Sequence, residues 1–157
     1  MVISLTNLDV AYVPTPRSIV RRMLLLAQLR RGELLFDLGA GDGRILIEAA
    51  RSFGAHCVGV EIDPERIARL KDRLRSTGVE ANVIEGDLMQ LDLSKADVVT
   101  MYLSDSINSR LAPKLARELK AGARIVSLDY LLPEWRHERE VIVKNAAMTR
   151  KIYLYRT

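Results

Sequence analysis

The chain has 157 residues, enough for one domain with a buried core. Its 48% hydrophobic and 28% charged content excludes a disordered or collagen-like polymer. The 24 Lys and Arg against 20 Asp and Glu leave a net charge of +4, dispersed along the chain, which attracts acidic partners weakly and does not by itself define a nucleic-acid binder. No apolar run approaches the roughly 20 residues of a membrane-spanning helix, MVISLTNLD has no secretory pattern, and the single Cys57 excludes an internal disulfide or a cysteine-rich zinc site, so a cytoplasmic protein with no metal centre is expected.

In chain order, Thr15 and Pro16 can cap a helix whose apolar face is Ile19, Val20, Met23, Leu24 and Ala27, packed over a sheet. The run Leu34 to Leu38, bounded by Gly32 and Gly39, reads as a strand buried on both faces. After Gly43, Ile45, Leu46, Ala49, Ala50 and Phe53 repeat at helical spacing and stop at Gly54. Cys57 to Glu61 reads as a second strand, and Cys57 as a small buried apolar residue. Asp63 then offers an N-cap and Pro64 a first helical position for a helix carrying Ile67, Leu70 and Leu74 to Gly78. Further strands are expected over Ala81 to Ile84, Ala96 to Leu103 and Ile125 to Leu128. A helical stripe runs from Ile107 to Leu119, which Pro113 should break or restart. Glu140 to Lys144 and Lys151 to Tyr155 pair as an antiparallel hairpin at the sheet edge. The alternation predicts an α/β fold: a single-domain, Rossmann-like three-layer sandwich with a mostly parallel sheet, its ligand site at the carboxyl ends of the strands.

The informative segment is Asp37-Leu38-Gly39-Ala40-Gly41-Asp42-Gly43-Arg44, which joins the first strand to its helix. Glycine lets the backbone turn sharply and approach a ligand closely. A dinucleotide fingerprint counted from Gly39 needs glycine where Arg44 stands, and a triphosphate loop needs Gly-Lys-Ser/Thr, which is missing. Asp37 and Asp42 would oppose a pyrophosphate, whereas the ammonium and sulfonium of S-adenosyl-L-methionine would be attracted to them. Glu61, 24 positions after Asp37, can accept from a ribose diol. Asp87 in Glu85-Gly86-Asp87-Leu88 can accept from an adenine amine. Each acidic residue alone could be solvated or could cap a helix, Asp42 in particular, but three carboxylates at three successive strand ends favour a ligand.

These residues, with Val60-Glu61-Ile62-Asp63, resemble the first three motifs of class I S-adenosylmethionine-dependent methyltransferases. Tyr12-Val13-Pro14-Thr15-Pro16, Val98-Val99-Thr100-Met101-Tyr102-Leu103 and Pro113-Lys114-Leu115 also resemble the small archaeal protein-lysine methyltransferases, over essentially the whole chain. The resemblance implies a seven-stranded sheet with an antiparallel C-terminal strand, a monomer, and lysine side chains of proteins as acceptors. By position it implies that Asp37, Gly39 and Gly41 line the methionine end, Glu61 the ribose, and Asp87 with Leu88 the adenine. Ala40, Asp42, Ile62, Gly86 and Met101 complete the cofactor set. The resemblance also implies that residues 1–31 form a segment and helix covering the cofactor site, with Tyr12 and Thr15 closing over it. Ala40 stands where the family often has cysteine, and Ser104-Asp105 departs from its usual aliphatic and polar pair.

Transfer from a sulfonium needs an aligned acceptor lone pair and exclusion of water, not a covalent nucleophile. Tyr102, in the apolar and aromatic wall after the fourth strand, is the candidate for positioning the acceptor, and core filling is its competing role. The segment lacks the Asn/Asp-Pro-Pro-Tyr/Phe of amide and adenine methylation, and Ala96 to Arg117 lacks the paired glutamates of arginine enzymes. His56 and His137 read as surface positions, and Trp135 as loop packing. An RNA or small-molecule methyltransferase, or a non-catalytic cofactor-binding subunit, are the alternatives; no arginine-aromatic strip supports RNA.

Overall fold

The computed structural model describes residues 14–157. Its strands are β1 Leu34–Leu38, β2 His56–Glu61, β3 Asn82–Glu85, β4 Val98–Met101, β5 Arg124–Leu128, β6 Arg139–Lys144 and β7 Thr149–Arg156. They form one seven-stranded sheet in the order β3-β2-β1-β4-β5-β7-β6. The β2-β1, β1-β4, β2-β3 and β4-β5 pairs are parallel, and β7 runs antiparallel to both β5 and β6. The C-terminal hairpin is therefore present, with its second strand inserted beside β5 and its first left at the edge.

The helices are α1 Arg17–Leu26, α2 Arg44–Glu48, which continues as a π-helical turn over Ala49–Phe53, α3 Pro64–Thr77 and α4 Asp105–Glu118. Ile19 and Met23 of α1, Leu46 of α2 and Leu70 of α3 bury one face of the sheet against Leu35, Val98 and Val126. Ile107, Leu111 and Leu115 of α4 bury the other against Phe36, Val99 and Ile125. Adjacent strand residues serve opposite cores, which is why these strands are apolar throughout rather than alternating. The expected three layers follow. Edge strand β6 instead alternates, with Val141 and Val143 half-buried and Ile142 exposed.

Four local expectations change. Pro113 sits inside an unbroken α4, because it and Ser109 are exposed and the carbonyl that loses its intrahelical partner faces water. Strand β4 spans Val98–Met101 rather than Ala96 to Leu103; just before it, Asp97 bonds Leu34 O and Arg124 N through its main chain, and its carboxylate accepts from Leu34 N (2.8 Å). Strand β3 lies one residue later than expected. Pro16, not Thr15, is the N-cap of α1, and no side chain caps it. The cap of α3 is as expected: Asp63 accepts from Glu65 N and Arg66 N, with Pro64 next and Gly78 left-handed at the end.

Candidate active site

From β1 the sheet order runs outward to β2 and β3 on one side and to β4 and β5 on the other, so a crevice opens beyond the carboxyl ends of β1 and β4. Leu38 pairs with Met101 in register, which sets Gly39 and Tyr102, the next residues, at the two lips. Gly39 has φ +81° and is open to solvent; a Cβ there would lie 2.9 Å from Leu103 Cδ2. The turn is stitched to the next strand by Gly39 N and Ala40 N, which both donate to Val60 O at 2.9 Å.

Asp37 is 2% exposed and lies opposite Thr100, whose hydroxyl donates to Asp37 Oδ1 at 2.8 Å. Burial raises its carboxyl to about 7, against the Thr100 hydrogen bond and with the charges of Glu61 and Asp42 adding to the rise. A buried carboxylate without a basic partner is a receptive site for a cation. Asp42 is committed differently. It pairs with Arg44 at 2.6 Å and with Arg73, and it accepts from Arg44 N. Burial pushes its carboxyl up, but the hydrogen bond and charge of Arg44, together with Arg73, hold it below the ordinary value. Arg44 also donates to the carbonyl of buried Thr15 at 2.7 Å, tying the residues before α1 to the glycine turn.

Glu61 stands at the end of β2 as expected, 4% exposed, but its carboxylate is not idle. It accepts from Gly41 N (2.9 Å), Ile62 N (3.0 Å) and Asp63 N (3.1 Å), so it braces the glycine turn from below. About one of its four lone-pair directions remains for a ribose hydroxyl, not the two that a diol would use. Asp87 accepts from Met89 N (2.9 Å), which starts the 3-10 turn Leu88–Gln90, and its second oxygen has no bond to a main-chain N–H. Ile62 and Gly86 line a groove of about 450 Å³ with Pro64, Ile67 and Ala68, beside the Lys71–Glu85 ion pair. Leu88 is buried in the α4-side core. Met101 has its side chain fully buried in that same core. Tyr12 lies outside the described residues.

Tyr102 is half-buried and stacks on Tyr130, with centroids 6.1 Å apart and planes at 25°. The Arg150 guanidinium carbon lies 4.9 Å from the Tyr102 centroid, and Arg150 Nε donates to Asp129 Oδ2 at 2.7 Å. Burial raises the Tyr102 phenol; Arg150 opposes the rise, and Asp129 and Tyr130 add to it. The Tyr130 carbonyl is fixed by Ser127 Oγ (2.5 Å) and by Asn108 Nδ2 (3.3 Å) from α4. Tyr130, Asp129 and Arg150 carry no signal in the sequence, since only the hairpin topology brings β7 to β5. Thr100 carried a signal, as the lone hydroxyl in the apolar β4, level with Asp37.

His56 is exposed, and His137 packs on Tyr153 and Tyr155 beside Glu140, so neither reaches the crevice. Trp135 Nε1 donates to Ala112 O (3.2 Å), which fastens its loop to α4. Cys57 is buried, and burial followed by the Asp37 charge pushes its thiol up to about 12, which makes it a packing residue. Among the described residues no helix is long and apolar enough to cross a membrane.

A glycine turn between β1 and α2, acidic residues ending β1 and β2, another after β3, and an antiparallel β7 between β5 and β6 define a class I methyltransferase domain. Residues 37–139 match the ANTKMT methyltransferase domain, and the chain belongs to that family. It is 42% identical over 149 residues to a protein-lysine N-methyltransferase of Saccharolobus islandicus, covering 93% of this chain and 92% of that one. The adenine nucleotide translocase lysine N-methyltransferase of Mus musculus is 33% identical over 131 residues, and there the match spans 57% of the longer relative. A solved RNA methyltransferase from Salinibacter ruber, in complex with S-adenosyl-L-homocysteine, superposes with a TM-score of 0.85 at 40% identity, covering 92% of this chain and 93% of that one.

Proposed function

We propose that the chain transfers methyl groups from S-adenosyl-L-methionine to lysine side chains of proteins. The observation that carries the acceptor reading is Tyr102 at the lip facing Gly39, stacked on Tyr130: two rings beside the cofactor turn suit the aliphatic stem of lysine. The Saccharolobus and Mus relatives support it by their descriptions.

The cofactor supplies an electrophilic methyl on a sulfonium. The chain's own residues bind, orient and desolvate. Asp37, buried and without a basic partner, holds the methionine ammonium at the floor of the crevice. Gly39 and Gly41 leave room along the turn. Glu61 accepts one ribose hydroxyl while bracing that turn, and Asp87, Ile62 and Gly86 border the adenine. Asp42 acts on the turn's shape through Arg44 and Arg73 rather than on the ligand. Tyr102 and Tyr130 align the acceptor amine and exclude water.

The experiment is to incubate the purified protein with labelled cofactor and, separately, denatured protein and bulk RNA, and to map the label. Lysine adducts are expected. Label confined to RNA would replace this reading with the activity named for the Salinibacter relative, and no transfer at all would favour a non-catalytic cofactor-binding subunit.

A further inference from the structure

Lysine in water carries its proton up to a pKa near 10.4, so an enzyme acting near neutrality must either remove that proton with a base or admit the amine already neutral. Three carboxylates at this end of the sheet, Asp37, Glu61 and Asp129, are already engaged within the protein. Asp37 is buried under its Thr100 hydrogen bond, Glu61 accepts three backbone N–H groups, and Asp129 accepts from both Arg150 Nε and Lys151 N (3.0 Å). What the crevice does hold is a cation. The Arg150 side chain is only 11% exposed, lies against the Tyr102 ring, and keeps Nη2 buried with no hydrogen-bond partner among the described residues. A buried guanidinium with an unmet donor is rare enough to need a reason.

Its placement is deliberate in physical terms. Asp129 adopts φ +63°, in the left-handed region, and reaches back to both Arg150 and Lys151 N in β7. The charged and titratable groups facing Tyr102 are Arg150 from β7 and Asp129 and Tyr130 from the loop after β5; Asp37 on β1 lies below, beyond Thr100.

We propose that Arg150 is a positioning residue that fixes the Tyr102 ring and, by like-charge repulsion, admits the acceptor lysine only as the neutral amine. This rests on the lysine reading above. The proton step is simple: the lysine ammonium gives its proton to bulk water as the side chain enters, and no group of the protein is left protonated. Asp129 tempers the field, so the two members of the ion pair push in opposite directions.

The test is the pH profile of kcat at a saturating concentration of a lysine peptide that the native protein labels, which reports the ionisation of the bound amine, measured with Arg150→Met, Arg150→Lys and Asp129→Asn. Its companion is the number of protons released when that peptide binds the protein loaded with S-adenosylhomocysteine, read from the buffer dependence of the calorimetric heat. Removing the cation should move the rising inflection up by about one pH unit and lower proton release near pH 8. Arg150→Lys should restore the inflection, and Asp129→Asn should move it down. If every variant loses rate equally at all pH values with the inflection unmoved, Arg150 only shapes the fold and the assignment is wrong. If the native protein labels no lysine at any pH, the lysine reading and this inference fall together, a result separable from an unshifted profile.

Discussion

The Thr100 hydroxyl on β4 donates to the Asp37 carboxylate on β1 across a parallel strand pair, 2.8 Å away and shut off from water on both sides. Ionising this carboxylate is unfavourable without a cation, and its pKa near 7 says so. An acid whose folded pKa lies above its unfolded value holds a proton that the unfolded chain has lost. Its contribution to stability is therefore full below pH 4 and declines as pH rises toward 7. Asp37→Asn should flatten that decline and melt higher than the native protein at pH 8. Over the same window, S-adenosylhomocysteine should bind the native protein more tightly as pH rises to 7, by up to about tenfold per unit, and then level off. Calorimetric titrations from pH 5 to 8 check this; an affinity flat across that range would remove Asp37 from the ammonium site.

Glu61 answers to both the fold and the ligand. Glu61→Ala strips an acceptor from three backbone N–H groups, Gly41 in the glycine turn and Ile62 and Asp63 after β2, a loss of about 2–3 kcal/mol that should appear as a melting point roughly 6–10 °C lower with no cofactor present. A residue that only bound ribose would leave the unliganded melting point where it was. Glu61→Gln keeps one carbonyl oxygen and should fall between the two. Thermal scans with and without S-adenosylhomocysteine separate the bracing role from the binding one.

The order and type of the elements were legible because the strands of a sheet buried on both faces are apolar runs and the crossover helices carry 3.6-residue stripes, as with Leu34 to Leu38 and the face Ile67, Leu70, Leu74. Asp37, the glycine turn, Glu61 and Asp87 could be read because each follows or ends a strand, where an α/β sheet keeps its ligands. That the Met101 side chain points into the α4 core is not legible in the apolar run, because adjacent strand residues face opposite layers and only the register separates them. Glu61 was given two free acceptors because backbone donors leave no mark in a sequence. Tyr130, Asp129 and Arg150 went unseen because β7 and the loop after β5 meet the β4 end only once the hairpin has inserted.

Gly43 leaves no room for a side chain. It is buried with φ +82°, and a Cβ there would lie 2.2 Å from Leu70 Cδ1 in α3. Gly43→Ala combines left-handed strain with overpacking between α2 and α3, which should destabilise by about 2 kcal/mol or more. Chemical denaturation should show the midpoint falling with an unchanged slope. Gly78, also left-handed at φ +67° but with open space where its Cβ would be, should lose only the backbone part, so Gly78→Ala is the milder control.

Tyr102 offers two handles, a ring and a hydroxyl, and the neighbours suggest which one matters. Its ring contacts Tyr130 and Arg150, and no hydrogen bond holds its hydroxyl within the described residues. If the ring acts as a wall for the acceptor stem, Tyr102→Phe should keep most of the methyl-transfer rate. Tyr102→Ala should lose at least about tenfold in kcat/KM through acceptor misalignment, with S-adenosylhomocysteine affinity little changed. The same split should follow for Tyr130, whose carbonyl is pinned by Ser127 and Asn108 and whose ring therefore presents a fixed surface. Single-turnover rates at saturating cofactor separate alignment from binding. Equal loss in Tyr102→Phe and Tyr102→Ala would move the role from the ring to the hydroxyl, and parallel loss of cofactor affinity would return Tyr102 to ordinary packing.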